Sequence, residues 1–196
     1  PYLGSGATSM SIEVNNNTLG RGSYGIEIYY SYNYKDAQDM TLSVLGNTVV
    51  GQLGSNSSSG YGLRVYTANQ KGLVATIENN TIKAIGRGIY VYSQQASRAL
   101  IKSNTIDSTY SQGIYLDKVS GNIESNTITK CGSYSNFGID ITSDFNYPAI
   151  DTIQYNTITG NGYWQSPSNT STTGGWGGIR LNGYTQAKIN YNNIYD

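Results

Sequence analysis

Residues 101–128 read IKSNTIDSTYSQGIYLDKVSGNIESNTI, and the fold is decided in this stretch. Two copies of one unit, Ile101-x-x-Asn104-Thr105-Ile106 and Ile123-x-x-Asn126-Thr127-Ile128, flank a second unit, Gly113-Ile114-Tyr115-Leu116. Working outward, the first unit recurs at Asn17-Thr18-Leu19, Asn47-Thr48-Val49, Asn80-Thr81-Ile82, Asn156-Thr157-Ile158 and, as a variant, Asn192-Asn193-Ile194. An aliphatic residue precedes each Asn by three positions: Val14, Val44, Ile77, Ile101, Ile123, Ile153 and Ile189. The second unit recurs at Gly25-Ile26-Glu27-Ile28, Gly62-Leu63-Arg64-Val65, Gly88-Ile89-Tyr90-Val91, Gly138-Ile139-Asp140-Ile141 and Gly178-Ile179-Arg180-Leu181.

Successive repeat asparagines are 30, 33, 24, 22, 30 and 36 residues apart, so the units stay constant while their connectors vary. Apolar residues alternate with period two inside each unit, which is the pattern of a strand. A shortest repeat of 22 residues suits three short strands and three bends, and leaves no room for helix-plus-strand repeats with this pattern. These constraints predict an all-β, single-stranded right-handed parallel β-helix of about seven rungs, stacked at about 4.8 Å with inward aliphatics forming one core. It would occupy residues 1–196 as one domain, either whole or as a piece of a longer coil. At an inward bend, an amide side chain satisfies backbone groups of its own rung and pairs with its counterparts above and below. Asn17, Asn47, Asn80, Asn104, Asn126, Asn156 and Asn192 are therefore expected to form a structural ladder, and the glycines opening the second unit to be bend residues.

Composition narrows the function. The chain has 12 basic and 12 acidic residues among 196, without the excess of Lys and Arg that phosphate neutralisation requires, so nucleic acid is not an expected partner. Gly, Ser, Asn and Thr make up 87 residues, a composition close to disorder, but 19 Tyr and many β-branched residues oppose that reading. The chain has no His, which excludes a Ser-His-Asp triad, a Cys-His pair and His-ligated zinc. Its one cysteine, Cys131, excludes an intramolecular disulfide and reads as a packing residue, linkage to another chain being the alternative. No metal site or cofactor is expected, and no run is long enough to be a transmembrane segment. Low charge and Asn-x-Ser/Thr sites at Asn16, Asn56, Asn79 and Asn169 point to an extracellular or cell-surface protein, with the periplasm as an alternative. The start at Pro1, with no leader-like segment, reads as a processed protein or an excised domain.

The pairing of Ile-x-x-Asn-Thr-Ile with Gly-Ile-x-Ile, from about residue 10 to 196, resembles the generic repeat of the pectin-lyase-like superfamily of right-handed parallel β-helices, including its NosD-like and alginate-epimerase-like groups. Because those residues are core and bend residues, the resemblance implies a fold more than an activity. It also implies that a polysaccharide lies across an outer sheet face. Asn136-Phe137-Gly138-Ile139-Asp140-Ile141 is similar to the Tyr-Gly-Phe/Ile-Asp-Pro-His motif of alginate C5-epimerases, but Ile141-Thr142 stands where the Pro-His would be.

Outward positions must carry whatever this chain does. Alternation predicts one outward column of Glu27, Arg64, Tyr90, Tyr115, Asp140 and Arg180, and another of Tyr29, Tyr66, Tyr92, Asp117, Thr142 and Asn182. Tyr29, Tyr66, Tyr90, Tyr92 and Tyr115, with Trp164 and Trp176 from the longest connector, are the candidate binding residues. Asp117 and Asp140 fall diagonally on adjacent rungs, within the span of roughly 5 to 9 Å used by paired-acid glycosidases, with Tyr115 and Arg180 as neighbouring donors. The competing expectation is ordinary ion pairing, Arg180 with Asp140 and Glu27 with Arg64. Thr18, Thr48, Thr81, Thr105, Thr127 and Thr157 form a further column, for which ice binding is a minor reading. The principal expectation is a structural or adhesive module that binds polysaccharide, self-associates into a sheath, layer or filament, or does both. The alternative is a polysaccharide hydrolase, lyase or epimerase acting through Asp117 and Asp140.

Overall fold

The computed structural model describes residues 9–31, 39–51, 60–68, 72–94, 97–132, 137–161 and 177–195. Trp164, Trp176 and the sequons at Asn56 and Asn169 lie outside them. Twenty strands form three parallel sheets with no helix among the described residues. The first sheet contains β1 (Ser9–Asn15), β4 (Asp39–Leu45), β7 (Gly72–Glu78), β10 (Arg98–Lys102), β13 (Ser120–Glu124), β16 (Ala149–Gln154) and β19 (Thr185–Asn190), in that spatial order. The second contains β2 (Thr18–Gly22), β5 (Thr48–Gly51), β8 (Thr81–Lys83), β11 (Thr105–Asp107), β14 (Thr127–Thr129), β17 (Thr157–Thr159) and β20 (Asn193–Tyr195). The third contains β3 (Tyr24–Ser31), β6 (Tyr61–Ala68), β9 (Arg87–Ser93), β12 (Ile114–Asp117), β15 (Ile139–Thr142) and β18 (Ile179–Asn182). Each strand pairs with the strand three places further along the chain, so the backbone coils as a parallel β-helix of about seven rungs.

The repeats stack in register. Ile101 pairs with Ile77 and Ile123, Ile106 with Ile82 and Ile128, and Ile114 with Ile89 and Ile139. These side chains have no measurable exposure or about 1%, and together with their equivalents they form one continuous core. At the last described rung the core is open, with Leu181, Ile189 and Ile194 at 36%, 46% and 48% exposure.

A left-handed residue makes the corner between the first and second sheets on every rung. Asn16, Gly46, Asn79, Ser103, Ser125, Tyr155 and Tyr191 all have φ between 54° and 64°, and each immediately precedes a ladder asparagine. Asn and Gly tolerate this region, whereas a bulky aromatic does so at a cost. Tyr155 and Tyr191 offset part of it by stacking, with ring centroids 5.2 Å apart and planes 6° from parallel.

The ladder asparagine then ties three rungs together. Asn80 Nδ2 donates to Asn104 Oδ1 at 2.9 Å and to the Val44 carbonyl of the preceding rung at 2.9 Å, while its backbone N–H donates to the same Asn104 oxygen. The Oδ1–Nδ2 bond is repeated from Asn17 through to Asn192. A shorter second ladder stands at the corner after the second sheet, where Cys131 N–H donates to Asn161 Oδ1 and Asn161 Nδ2 donates to the Ile128 carbonyl. Cys131 is fully buried there and its thiol donates to the Thr129 carbonyl, which makes it a packing residue. Burial pushes that thiol up to about 11, so it stays protonated and unreactive.

Of the glycines that open the second unit, Gly113, Gly138 and Gly178 stand at a bend just before their strands, as expected, whereas Gly25, Gly62 and Gly88 lie within theirs. None of them has a positive φ, and at all but Gly178 a Cβ would collide with neighbouring rungs. At Gly88 it would strike the Gly113 carbonyl oxygen and the Ile106 side chain, and at Gly62 the Ile82 side chain and the Gly88 carbonyl oxygen. Close approach between the third sheet and the aliphatics of the second selects glycine at this column.

Candidate functional site

The outer face of the third sheet gathers most of the candidate residues. Its first column runs Glu27, Arg64, Tyr90, Tyr115, Asp140, Arg180 and its second Tyr29, Tyr66, Tyr92, Asp117, Thr142, Asn182, as the alternation predicted. Parallel in-register pairing brings equivalent rings to van der Waals spacing. Tyr29 stacks on Tyr66 with centroids 5.0 Å apart, and Tyr66 on Tyr92 at 4.5 Å. A second stack crosses from Tyr61 to Tyr90 at 5.5 Å and on to Tyr115 at 5.1 Å. Tyr61 was absent from the predicted columns because it lies before its rung's Gly-Leu unit; the signal was its alignment with Tyr24, its register partner.

Two guanidinium groups lie among the rings. Arg64 Cζ is 5.0–5.6 Å from the ring centroids of Tyr29, Tyr61 and Tyr66, and its Nη1 is 2.6 Å from Glu27 Oε1. Arg87 Cζ lies 5.4–5.6 Å from Tyr61, Tyr90 and Tyr115, while its Nε donates to Gln112 Oε1 and its Nη1 to the Tyr61 hydroxyl. Such cation–π contacts contribute roughly 0.5 to 2 kcal/mol each according to desolvation.

Exposure differs sharply along the stacks. Tyr90 and Tyr92 are only 8% exposed, so their rings serve packing within the face, whereas Tyr29 is 58% exposed at the head of its stack. Tyr66 and Tyr115 are half-buried. In a stack each interior ring spends its faces on its neighbours and presents an edge outward; a sugar ring can cover a face only at the end of the row.

The two aspartates have different environments. Asp140 has no exposure and is held by Arg180 through two bonds, Nε to Oδ1 at 2.8 Å and Nη2 to Oδ2 at 2.5 Å, with Gln112 Nε2 donating to Oδ2 at 3.0 Å. This two-point grip keeps Arg180 firmly charged. Asp117 has no salt bridge among the described residues. Burial pushes its carboxyl above the usual range, with Asp144 and Asp140 adding repulsion, against the pull of Lys118 and a hydrogen bond from the Tyr90 hydroxyl. The same burial raises Tyr90 and Tyr115, so both phenols stay protonated at neutral pH. Beside them Lys118 Nζ lies 2.9 Å from Asp144 Oδ2 and faces the rings of Tyr92 and Tyr147.

Among the described residues no group of three or more His, Cys, Asp or Glu could hold a metal ion. No helix among them is long and apolar enough to cross a membrane. The threonine column is present from Thr18 to Thr157, but two residues further along the same strands stand Gly20, Val50, Lys83, Asp107, Thr129 and Thr159. Thr129 donates to Asp107 Oδ1 at 2.8 Å, so this face is not a regular threonine array.

No curated protein and no solved structure matches the chain. Residues 4–173 match the family model described as right handed beta helix region. With three parallel sheets coiled in register and a family match over most of its length, the chain belongs to the right-handed β-helix family.

Proposed function

We propose that this chain is a non-catalytic structural or adhesive module, working outside the cell or at its surface, that contacts polysaccharide through the aromatic face of its third sheet. The observation that carries this reading is the Tyr29–Tyr66–Tyr92 row, whose leading ring is 58% exposed while phenol edges and the Arg64 guanidinium line its flank. A polymer lying along the coil would stack on Tyr29 and hydrogen-bond to hydroxyls spaced by one rung, about 4.8 Å. Locking of Asp140 by Arg180 supports a non-catalytic role, because a carboxylate without exposure and with both oxygens bonded is not free to move a proton. Self-association is the second part of the proposal, supported by exposed large apolar side chains along the coil, Val74 at 56%, Ile150 at 72% and Phe145 at 75%. A concentration-dependent rise in mass by size-exclusion chromatography with light scattering would support it, and a monomer at all concentrations would reject it.

The binding test is affinity electrophoresis through gels containing a neutral β-glucan, a polyuronate or a sulfated galactan. Retardation by at least one of them, weakened about tenfold or more in a Tyr29→Ala, Tyr66→Ala double variant, is expected. Unchanged mobility in every gel overturns the reading. The enzyme alternative now rests on Asp117 alone, the aspartate with a raised carboxyl beside two protonated phenols. Release of reducing ends or unsaturated products, lost in Asp117→Asn, would replace the module by an enzyme.

A further inference from the structure

Among the described residues, one acidic side chain points into the coil. On the first sheet the inward column runs Ile12, Leu42, Ala75, Ala99, Gly121, Asp151 and Ala187, so an aspartate occupies a position that is otherwise aliphatic, alanine or glycine. Asp151 is 2% exposed. Its Oδ1 accepts the Gly121 N–H at 2.6 Å, and its Oδ2 is buried with no hydrogen-bond partner among the described residues. Gly121 makes room for it, since a Cβ there would meet the Leu116 side chain and crowd Asp151 Oδ1. No charge compensates it from the packed elements: Glu124 of β13, Lys188 of β19, Asp117 of β12 and Asp140 of β15 all occupy outward positions, β16 carries no other charged residue, and the inward Cys131 thiol is neutral.

We propose that Asp151 is a proton-sensitive latch for the C-terminal rungs: β13, β16 and β19 close tightly around a neutral carboxyl and loosen when it ionises. A neutral acid leaves one modest polar group unpaired, whereas a carboxylate leaves a charge in a hydrocarbon interior with one backbone donor to hold it. Burial accordingly pushes this carboxyl up to about 6, the Gly121 N–H pulling the other way and losing. The sign is opposite to that of ordinary acid denaturation. Below the unfolded value of about 4 both the closed and open forms hold the proton and nothing is lost. Between about 4 and 6 the open form sheds it first, so the closed form weakens as pH rises, and above about 6 the loss is complete.

The test is amide hydrogen exchange on the 196-residue chain at pH 4.0 and 7.5, corrected for intrinsic exchange, comparing β13, β16 and β19 with β5 and β8. Protection in the first group is expected to fall on the order of 100-fold at the higher pH, with far less change in the second. Asp151→Asn removes the charge and should abolish the difference. Asp151→Ala provides a second variant for which the fold already offers precedent at Ala75, Ala99 and Ala187, and it should be protected equally at both pH values. Wild-type protection independent of pH, or the same pH dependence retained in a folded Asn or Ala variant, overturns the proposal.

Discussion

At the residue scale, the Asp140–Arg180 pair distinguishes structural from chemical use of an acid. Asp140 has no exposure while the Arg180 side chain is 40% exposed, so removing either partner is not symmetric. Arg180→Met strands a buried carboxylate with only Gln112, and we expect a loss of about 2–3 kcal/mol, below the usual cost of breaking a buried pair because solvent reaches the arginine. Asp140→Asn keeps an acceptor for Arg180 and leaves no buried charge, so its loss should be smaller. Urea denaturation of the two variants ranks them, and the opposite order would show that the pair does not stabilise as described. Pairing of these residues was legible from the alignment of Gly138-Ile139-Asp140 with Gly178-Ile179-Arg180. That burial would raise the carboxyl of Asp117 was not legible, because neighbouring elements set desolvation.

At the element scale, the asparagine ladder shows why one residue type recurs among variable connectors. Asn104 accepts from the backbone and side chain of Asn80 and donates to Ile77 and Asn126. Asn104→Ala would leave an Asn80 N–H, an Asn80 amide proton and the Ile77 carbonyl without these partners inside the coil. With roughly 1–3 kcal/mol for each stranded group, and partial relaxation by water, we expect a loss of about 3–4 kcal/mol. Asn17 sits at the exposed start of the ladder, and Asn17→Ala should lose about 1 kcal/mol or less. Equal losses in thermal or urea unfolding would contradict this account. The glycine column shows the limit of local reasoning. Gly113, Gly138 and Gly178 do stand at bends while Gly25, Gly62 and Gly88 do not, yet a neighbouring rung, distant along the chain, crowds the place of a side chain along the whole column.

At the whole-molecule scale, each rung contacts only its neighbours, so stability is a sum along one axis. Strands β7, β10 and β13 have core residues with no exposure or up to 2%, whereas Leu181, Ile189 and Ile194 of the last described rung are half open. At a single pH near 5, amide exchange should therefore be slowest in β7–β14 and faster in β18–β20 by orders of magnitude, with a graded profile between. Uniform protection along the chain would mean that the coil opens as one cooperative block.

The sequence by itself determined the coil, its register and the two outward columns. Those follow from period-two alternation and from repeats that can bury their aliphatics only by stacking, and both are local properties of the chain. Only the tertiary structure decided which of these residues remain accessible. It placed Tyr90 and Tyr92 inside the aromatic face while leaving Tyr29 open, bound Asp140 to Arg180, and put Asp151 alone in the core. Asp151 escaped the sequence reading because Ala149-Ile150-Asp151-Thr152-Ile153 contains Ile150, an outward aliphatic at 72% exposure, which obscures the alternation. The physical reason is general: pattern specifies which way a side chain faces, but burial, partner and charge state depend on what the adjacent rungs bring against it.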